Sequence, residues 1–281
     1  MTEYIRPRDV AEALAARAAH PDWMVLAGGT DLMVNANHRP VPAGIIDLWR
    51  LPGLGTITAG ERSITIGAGA TWYEVENHPA VLEKWLPLAL AAREIGALQI
   101  QMRGTVGGNV GNSSPVGDSL PVLLALDAEL ELASARGRRK LPYSQFCTGY
   151  RKTALAPDEL IISVTLLAPT ASTRTMWRKV GTRRAQSISK VMGAAAITLD
   201  GGVVSSARVA LGAVADRPIR VTAVEDAVRG LTPAHAADAA RTALRTAIRP
   251  IDDVRSTASY RHDVAENLVA RFFSSLTTGV S

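Results

Sequence analysis

The sequence predicts an α+β chain in three parts: a small parallel strand–loop–helix–strand lobe, a larger lobe built on an antiparallel sheet, and a C-terminal antiparallel sheet with helices. Three observations carry this. Near the N-terminus, short apolar segments alternate with a helical pattern and a glycine loop, as joined parallel strands do. From Leu54 the apolar period shortens to two around tight turns, which marks antiparallel hairpins. Beyond residue 170 a strand meander gives way to alanine-rich helical periodicity. The parts run 1–52, 53–170 and 171–281.

In the first part, Asp9-Val10-Ala11-Glu12 is a capping-box pattern. It opens a helix with Val10, Leu14 and Ala18 on one face, closed before Pro21. Trp23 to Ala27 reads as a strand entering the glycine loop, Asp31 to His38 as a helical turn or two, and Ile45-Ile46-Asp47-Leu48 as the next strand. That order sets the loop's N–H groups and a helix N-terminus at a strand's C-terminal end, where an anion is favoured.

In the second part, Ile57 and Ser63 to Ala68 form a hairpin about Gly60-Glu61-Arg62, and Thr71-Trp72-Tyr73-Glu74 is another capping box. Helices are expected over 73–77, 86–95 and 119–126, the last capped by Asp118, with strands over 129–133, 141–146 and 159–167. The basic cluster Arg136-Gly137-Arg138-Arg139-Lys140 reads as a hairpin turn and as a patch for an acidic subunit or cofactor. Pro169 with Thr170-Ala171-Ser172-Thr173 marks the next boundary. The third part is a meander through 175–180, 191–199 and 203–211. A short helix capped by Thr222, an alanine-rich helix opened by Thr232-Pro233 and a final helix over 260–276 follow it.

Composition narrows the function classes. With 47% hydrophobic and 20% charged residues, 281 residues can bury one large core or several small ones. No apolar run reaches the roughly 18 to 20 residues of a membrane span. The start, Met1-Thr2-Glu3-Tyr4-Ile5-Arg6-Pro7, lacks a charged-then-apolar export pattern, so a cytoplasmic location is expected. The single cysteine, Cys147, rules out thiolate-ligated clusters within the chain and reads as a buried apolar residue. The five histidines form no i,i+4 pair, and no metal site is expected. A net charge of +5 is dispersed along the chain, which argues against nucleic acid as the ligand.

The chemistry lies in two glycine-rich stretches, Ala27-Gly28-Gly29-Thr30-Asp31-Leu32 and Gly104-Thr105-Val106-Gly107-Gly108-Asn109. Each is expected to bare backbone N–H groups, and paired glycines let a ligand approach the backbone closely. A glycine pair after a strand is by itself a plain turn. The Gly-x-Gly-x-x-Gly spacing is absent after Leu26, and no P-loop occurs. The second stretch is more specific. Within about a dozen residues it joins glycine backbone, Asn109, the pair Ser113-Ser114 and Asp118, a set suited to a ligand bearing both phosphate and sugar hydroxyls.

Ile95-Gly96-Ala97-Leu98-Gln99-Ile100, Gly104 to Asn109, Ser114-Pro115 and Asp118-Ser119-Leu120-Pro121 follow one another in the order and spacing of a known family. So do Ile46-Asp47-Leu48, Thr148 to Thr153 ahead of Pro157-Asp158-Glu159-Leu160-Ile161, and Arg178-Lys179-Val180-Gly181-Thr182-Arg183. Over nearly its whole length the chain resembles the FAD-binding medium subunit of the molybdenum hydroxylases, of xanthine dehydrogenase and carbon monoxide dehydrogenase type. The resemblance implies FAD between the first two lobes. Val25, Leu26, Ala27, Gly28, Gly29, Thr30, Asp31 and Leu32, with Thr105, Val106, Gly107, Gly108 and Asn109, would wrap its diphosphate. Ser114 belongs to the same site, and Asp118 would accept bonds from cofactor hydroxyls. Ile95 and Ile161 would pack by the ring system, and Lys179 would approach the flavin. Thr30 stands where covalent flavoenzymes of the wider superfamily carry histidine, which implies non-covalent FAD.

The same resemblance implies an electron-transfer subunit with no catalytic acid or base of its own. Electrons would come from a molybdopterin large subunit through the [2Fe–2S] clusters of an iron–sulfur small subunit, pass through FAD, and leave to NAD+, oxygen or another acceptor. A dimer of heterotrimers is the implied assembly. Asn112-Ser113-Ser114-Pro115 and Gly149-Tyr150-Arg151-Lys152-Thr153 lean toward purine or N-heterocycle hydroxylation. A carbon monoxide or aldehyde dehydrogenase medium subunit stays open, as do a self-sufficient flavin oxidase and a nucleotide-binding module.

Overall fold

The computed structural model describes residues 2–38, 40–184 and 186–277, with the Asn35 side chain left aside. Met1 and the last four residues of the third part lie outside them. Three strands, β1 (Glu3–Ile5), β2 (Met24–Leu26) and β3 (Gly44–Asp47), form a wholly parallel sheet in the order β1-β3-β2. β1 is an addition to the sequence reading: three residues are too few to show a period. Between β1 and β2 runs helix α1 (Val10–Ala19), capped by Asp9, whose carboxylate accepts the Glu12 N–H at 2.8 Å. The Glu12 carboxylate turns outward to the Arg8 N–H and guanidinium rather than closing the expected box. After β2 the helical turns expected over Asp31 to His38 form as a 3-10 helix, Met33–His38, starting two residues later.

The second sheet is antiparallel, ordered β4-β5-β10-β6-β7 from β4 (Ile57–Ala59), β5 (Ser63–Gly67), β6 (Glu129–Ser134), β7 (Gly137–Pro142) and β10 (Leu160–Leu167). A small ribbon, β8 (Cys147–Gly149) and β9 (Lys152–Thr153), stands apart, and Cys147 in it is half-buried rather than buried. Six helices fill the long excursion between β5 and β6: α2 (Trp72–Asn77), α3 (Pro79–Lys84), α4 (Leu86–Arg93), α5 (Leu98–Gln101), α6 (Val106–Asn112) and α7 (Leu120–Ala125). The basic run expected at a turn begins β7 instead, and its charges are matched at home. Arg136 pairs with Asp158 at 2.5 Å, Arg138 with Glu131 at 3.0 Å, Arg139 with Glu159 at 2.6 Å and Lys140 with Glu129 at 2.8 Å. An edge strand laddered with ion pairs resists further pairing, and it offers no patch of unmatched positive charge to an acidic partner.

The third sheet is the antiparallel meander β11 (Thr173–Val180), β12 (Val191–Asp200), β13 (Val203–Gly212) and β14 (Ile219–Arg220). Helices α8 (Thr222–Ala227), α9 (Pro233–Leu244) and α10 (Ala258–Ser274) follow. Side chains alternate across this sheet as strand geometry requires. Ala194, Ala196 and Ala210 join the core of the second sheet, facing α7, while Ala195, Ile197, Val209 and Leu211 pack with Phe272 and Phe273 of α10. Alanine on the inner face brings the third sheet's backbone close to α7, and that approach builds the site described next.

Candidate functional site

The first glycine stretch leaves β2 at Leu26, whose carbonyl accepts the Leu48 N–H at 2.7 Å, and turns at Gly29 with φ +76°. A Cβ on Gly28 would lie 1.8 Å from the Arg103 carbonyl oxygen, so the loop is packed backbone on backbone against the turn after α5. Arg103 secures the contact from both sides: its guanidinium lies 3.8 Å from the centre of the Trp49 ring, next to β3, and its Nε donates to the Gly28 carbonyl at 3.4 Å. Thr30 Oγ1 lies 3.4 Å from where a Cβ on Gly104 would stand. Among the described residues, the N–H groups of Gly28, Gly29 and Thr30 donate to no protein acceptor. Adjacent undirected N–H groups are what an anion requires. Val25, Leu26, Ala27, Asp31 and Leu32 are half-buried around them.

The second stretch differs from its reading. Gly107, Gly108 and Asn109 lie in the first turn of α6, capped by the Thr105 hydroxyl, which accepts the Gly108 N–H at 3.1 Å. The Val106 and Gly107 N–H groups donate to Ala70 and Ala68 carbonyls at 2.9 and 2.7 Å, so they are not bare. Gly107 is needed because a Cβ there would meet that of Ala68 at 2.6 Å. Thr105 and Val106 are buried, whereas Gly108 and Gly111 are exposed and leave one face of α6 without side chains.

From the adjoining face of α6, Asn109 and Asn112 line a cavity of about 430 Å³ whose wall also includes Ile95, Gln99, Ser114, Asp118, Gln186, Ser187 and Ile188. Four predicted residues, Ile95, Asn109, Ser114 and Asp118, thus meet in one place. Asn109 Oδ1 accepts the Ser119 hydroxyl at 2.7 Å, which leaves its amide donors unassigned. Asn112 Oδ1 accepts from Arg151 Nη1 at 2.9 Å, and the same guanidinium stands 3.5 Å from Asp31, tying cavity and glycine loop together. Ile161 lies apart, under α6, with Cδ1 3.6 Å from where a Cβ on Gly111 would stand.

Asp118 does not cap α7: its N-cap is Ser119, with no side-chain cap bond. Instead its Oδ2 accepts from Lys179 Nζ at 2.7 Å and its Oδ1 from the Ser189 hydroxyl at 2.6 Å. Lys179, its side chain only 5% exposed, also donates to the Glu94 carbonyl at 3.2 Å, and Trp177 Nε1 donates to the Asp118 carbonyl at 3.0 Å. Lys179 therefore stands behind Asp118, outside the cavity wall. Burial raises the Asp118 carboxyl above its ordinary value, opposed by Lys179 and Ser189. Trp177 was missed although it shares a strand face with Lys179 two residues on. Arg151 was singled out only as part of the Thr148 to Thr153 motif and not for this site, and for Ser189 no local pattern exists to find it.

The residues fit a dinucleotide-sized cofactor: undirected N–H groups for its anionic part, a helix face without side chains for close approach, and amide, hydroxyl and carboxylate groups for hydroxyls. The comparisons agree. Residues 1–169 match the family described as the FAD binding domain in molybdopterin dehydrogenase, and residues 177–276 match the CO dehydrogenase flavoprotein C-terminal domain. A nicotinate dehydrogenase FAD-subunit from Eubacterium barkeri is 32% identical over 81% of this chain and 79% of its own. The nicotine 6-hydroxylase medium subunit of Paenarthrobacter nicotinovorans is 30% identical over 95% and 94%. A solved carbon monoxide dehydrogenase from Hydrogenophaga pseudoflava superimposes with a TM-score of 0.91 at 30% identity, covering 96% of this chain and 95% of that one. The chain therefore belongs to the FAD-binding medium subunits of the molybdenum hydroxylases, a family of oxidoreductase complexes.

Proposed function

We propose that this chain is the electron-output subunit of its complex. It would accept electrons from [2Fe–2S] clusters of a small subunit, fed by a molybdopterin large subunit, and deliver them through non-covalent FAD to NAD+, oxygen or another acceptor. The observation that carries the reading is the cavity walled by Ile95, Asn109, Ser114 and Asp118 beside the Gly28–Thr30 loop. FAD, when bound, supplies hydride and one-electron chemistry. The chain's own residues bind and orient. Gly28, Gly29 and Thr30 offer N–H groups to the diphosphate, Asn109, Ser114 and Asp118 hold hydroxyls, and Ile95 excludes water from one side of the cavity. Lys179 compensates the charge of Asp118 and so opposes the burial that raises its carboxyl. The division at residues 52 and 170 into two FAD lobes and a C-terminal part belongs to the same proposal.

For the complex's substrate we propose an N-heterocycle, on the support of the relatives named for nicotinate and nicotine, both pyridines. The test is the absorbance spectrum of the protein from its native host, with acid release of cofactor and a gel of co-purifying chains. Flavin and iron–sulfur absorbance with two further bands is the expected result. Flavin with one band points to an autonomous enzyme or a dissociated subunit, and a colourless chain that takes up no added FAD overturns the cofactor assignment.

A further inference from the structure

We propose that Ser189 is a positioning residue for the cofactor cavity, its hydroxyl holding the Asp118 carboxylate so that the remaining lone pairs face inward. The inference rests on the reading that FAD occupies this cavity. A carboxylate accepts about four hydrogen bonds. Two on Asp118 are taken from behind, one per oxygen, by Lys179 at 2.7 Å and Ser189 at 2.6 Å. The terminal torsion of an aspartate is broad, so a donor at one oxygen leaves the carboxylate free to swivel. A second donor on the other oxygen fixes its plane.

The hydroxyl is itself firmly carried. Ser189 is 1% exposed. The next residue, Lys190, donates its N–H to the Val180 carbonyl at 2.8 Å and accepts at its carbonyl from Arg261 Nη1 at 2.8 Å. Arg261, 2% exposed in α10, also donates to the Ala213 carbonyl at 3.1 Å and pairs with Asp253 at 2.7 Å. A buried arginine thus pins the backbone at the point where the stretch Gln186–Ile188 leads into β12. Lys179 comes from β11 of the third sheet and Ser189 from the segment that leads into its β12, whereas Asp118 leads into α7. The orientation of the carboxylate therefore depends on how that sheet is docked. The charged groups facing Asp118 are Lys179, which with Ser189 favours its ionised form, and Glu94, which disfavours it.

The test titrates FAD into the cofactor-stripped full chain, read by quenching of flavin fluorescence, for the parent, Ser189→Ala, Ser189→Cys, Asp118→Asn and the Ser189→Ala/Asp118→Asn double variant. Thermal unfolding and far-UV circular dichroism of each confirm that the chains are folded. Ser189→Ala should weaken FAD roughly tenfold, the size of a lost bond to a charged group. It should also move the acid-side fall in affinity to higher pH, because the carboxylate loses a donor that favours ionisation. Ser189→Cys, a weaker donor of similar volume, should fall between the two. In the Asp118→Asn background, Ser189→Ala should add less than twofold, since the hydroxyl acts through the carboxylate. Parent-like affinity and pH profile in Ser189→Ala, with Asp118→Asn weakened, overturns the role of Ser189 and leaves the cavity reading intact. An equal loss in both backgrounds, or a Cys variant at parent affinity, overturns it too. If Asp118→Asn binds FAD like the parent, the cavity reading itself fails.

Discussion

A Cβ added at position 28 would have nowhere to go: it would stand 1.8 Å from the Arg103 carbonyl oxygen and 2.6 Å from its carbon. Both are backbone atoms, so no rotamer change relieves the clash and the two chain segments must part. Elsewhere the demand is weaker. A Cβ on Gly60 would come no closer than 3.5 Å, to the Ser63 carbonyl. Gly28→Ala should therefore cost about 1–3 kcal/mol or more, and roughly 2–4 °C of Tm per kcal/mol for a chain of this size class. Gly60→Ala should stay within about 0.5 kcal/mol. Thermal unfolding of the two variants beside the parent checks this, and equal melting temperatures would refute the back-to-back packing of the loop. Gly28 was singled out from sequence for baring N–H groups. Its structural role, letting two backbones touch across 75 residues, depends on a contact that no local pattern encodes.

Among the elements, those with local causes were legible. The hairpin β4–β5 and the box at Thr71, where the hydroxyl accepts the Glu74 N–H and the Glu74 carboxylate accepts the Thr71 N–H, follow from turn and cap chemistry alone. Helix α6 was not legible, because Gly107-Gly108 contradicts helix propensity. The helix forms because the Thr105 cap and the Ala68 and Ala70 carbonyls hold its first turn. Strand β7 was misplaced because its arginines read as a turn, whereas each finds an acidic partner. The Arg139–Glu159 pair is the most enclosed of these, with bonds of 2.6 and 2.7 Å and a further N–H from Ala156 at 2.8 Å. The Arg139 guanidinium, opposed by burial, holds the Glu159 carboxyl below its ordinary value. A carboxyl depressed on folding contributes stability that is present above its unfolded value, about 4.3, and is lost as pH falls through the folded one. Glu159→Gln should therefore be less stable than the parent near pH 7 and lose less on acidification toward pH 3. Urea unfolding across that range checks it, and parallel curves would show that the pair contributes no linkage.

At the scale of the molecule, the candidate site exists only because the third sheet sits against α7. Trp177 and Lys179 reach Asp118 from that sheet and Ser189 from the segment entering β12, across 59 to 71 residues of sequence. Sequence reading found Asp118 and Lys179 singly but not as a pair, since nothing in either neighbourhood encodes the other. The docking is set by the small inner face Ala194, Ala196 and Ala210, and reinforced by two arginines at the C-terminal end of α7. Arg208 donates to the Ala125 carbonyl at 2.9 Å, and Arg220 bonds Asp127 at 2.6 Å. The two faces of the sheet should therefore respond differently to added volume. Ala210→Leu, at a position with no exposure, must push the sheet away from α7 and withdraw Lys179 and Ser189 from Asp118. Ala195→Leu adds the same volume toward α10, on the opposite face. Both should lose about 1–3 kcal/mol or more through overpacking. Only Ala210→Leu should also weaken FAD in the molecules that remain folded, because only it moves the sheet relative to the cavity. Thermal unfolding and FAD titration below the melting range separate the two effects. If Ala195→Leu weakened FAD as much as Ala210→Leu, the cavity would be responding to general destabilisation, and the docking of the third sheet would not be what sets its geometry.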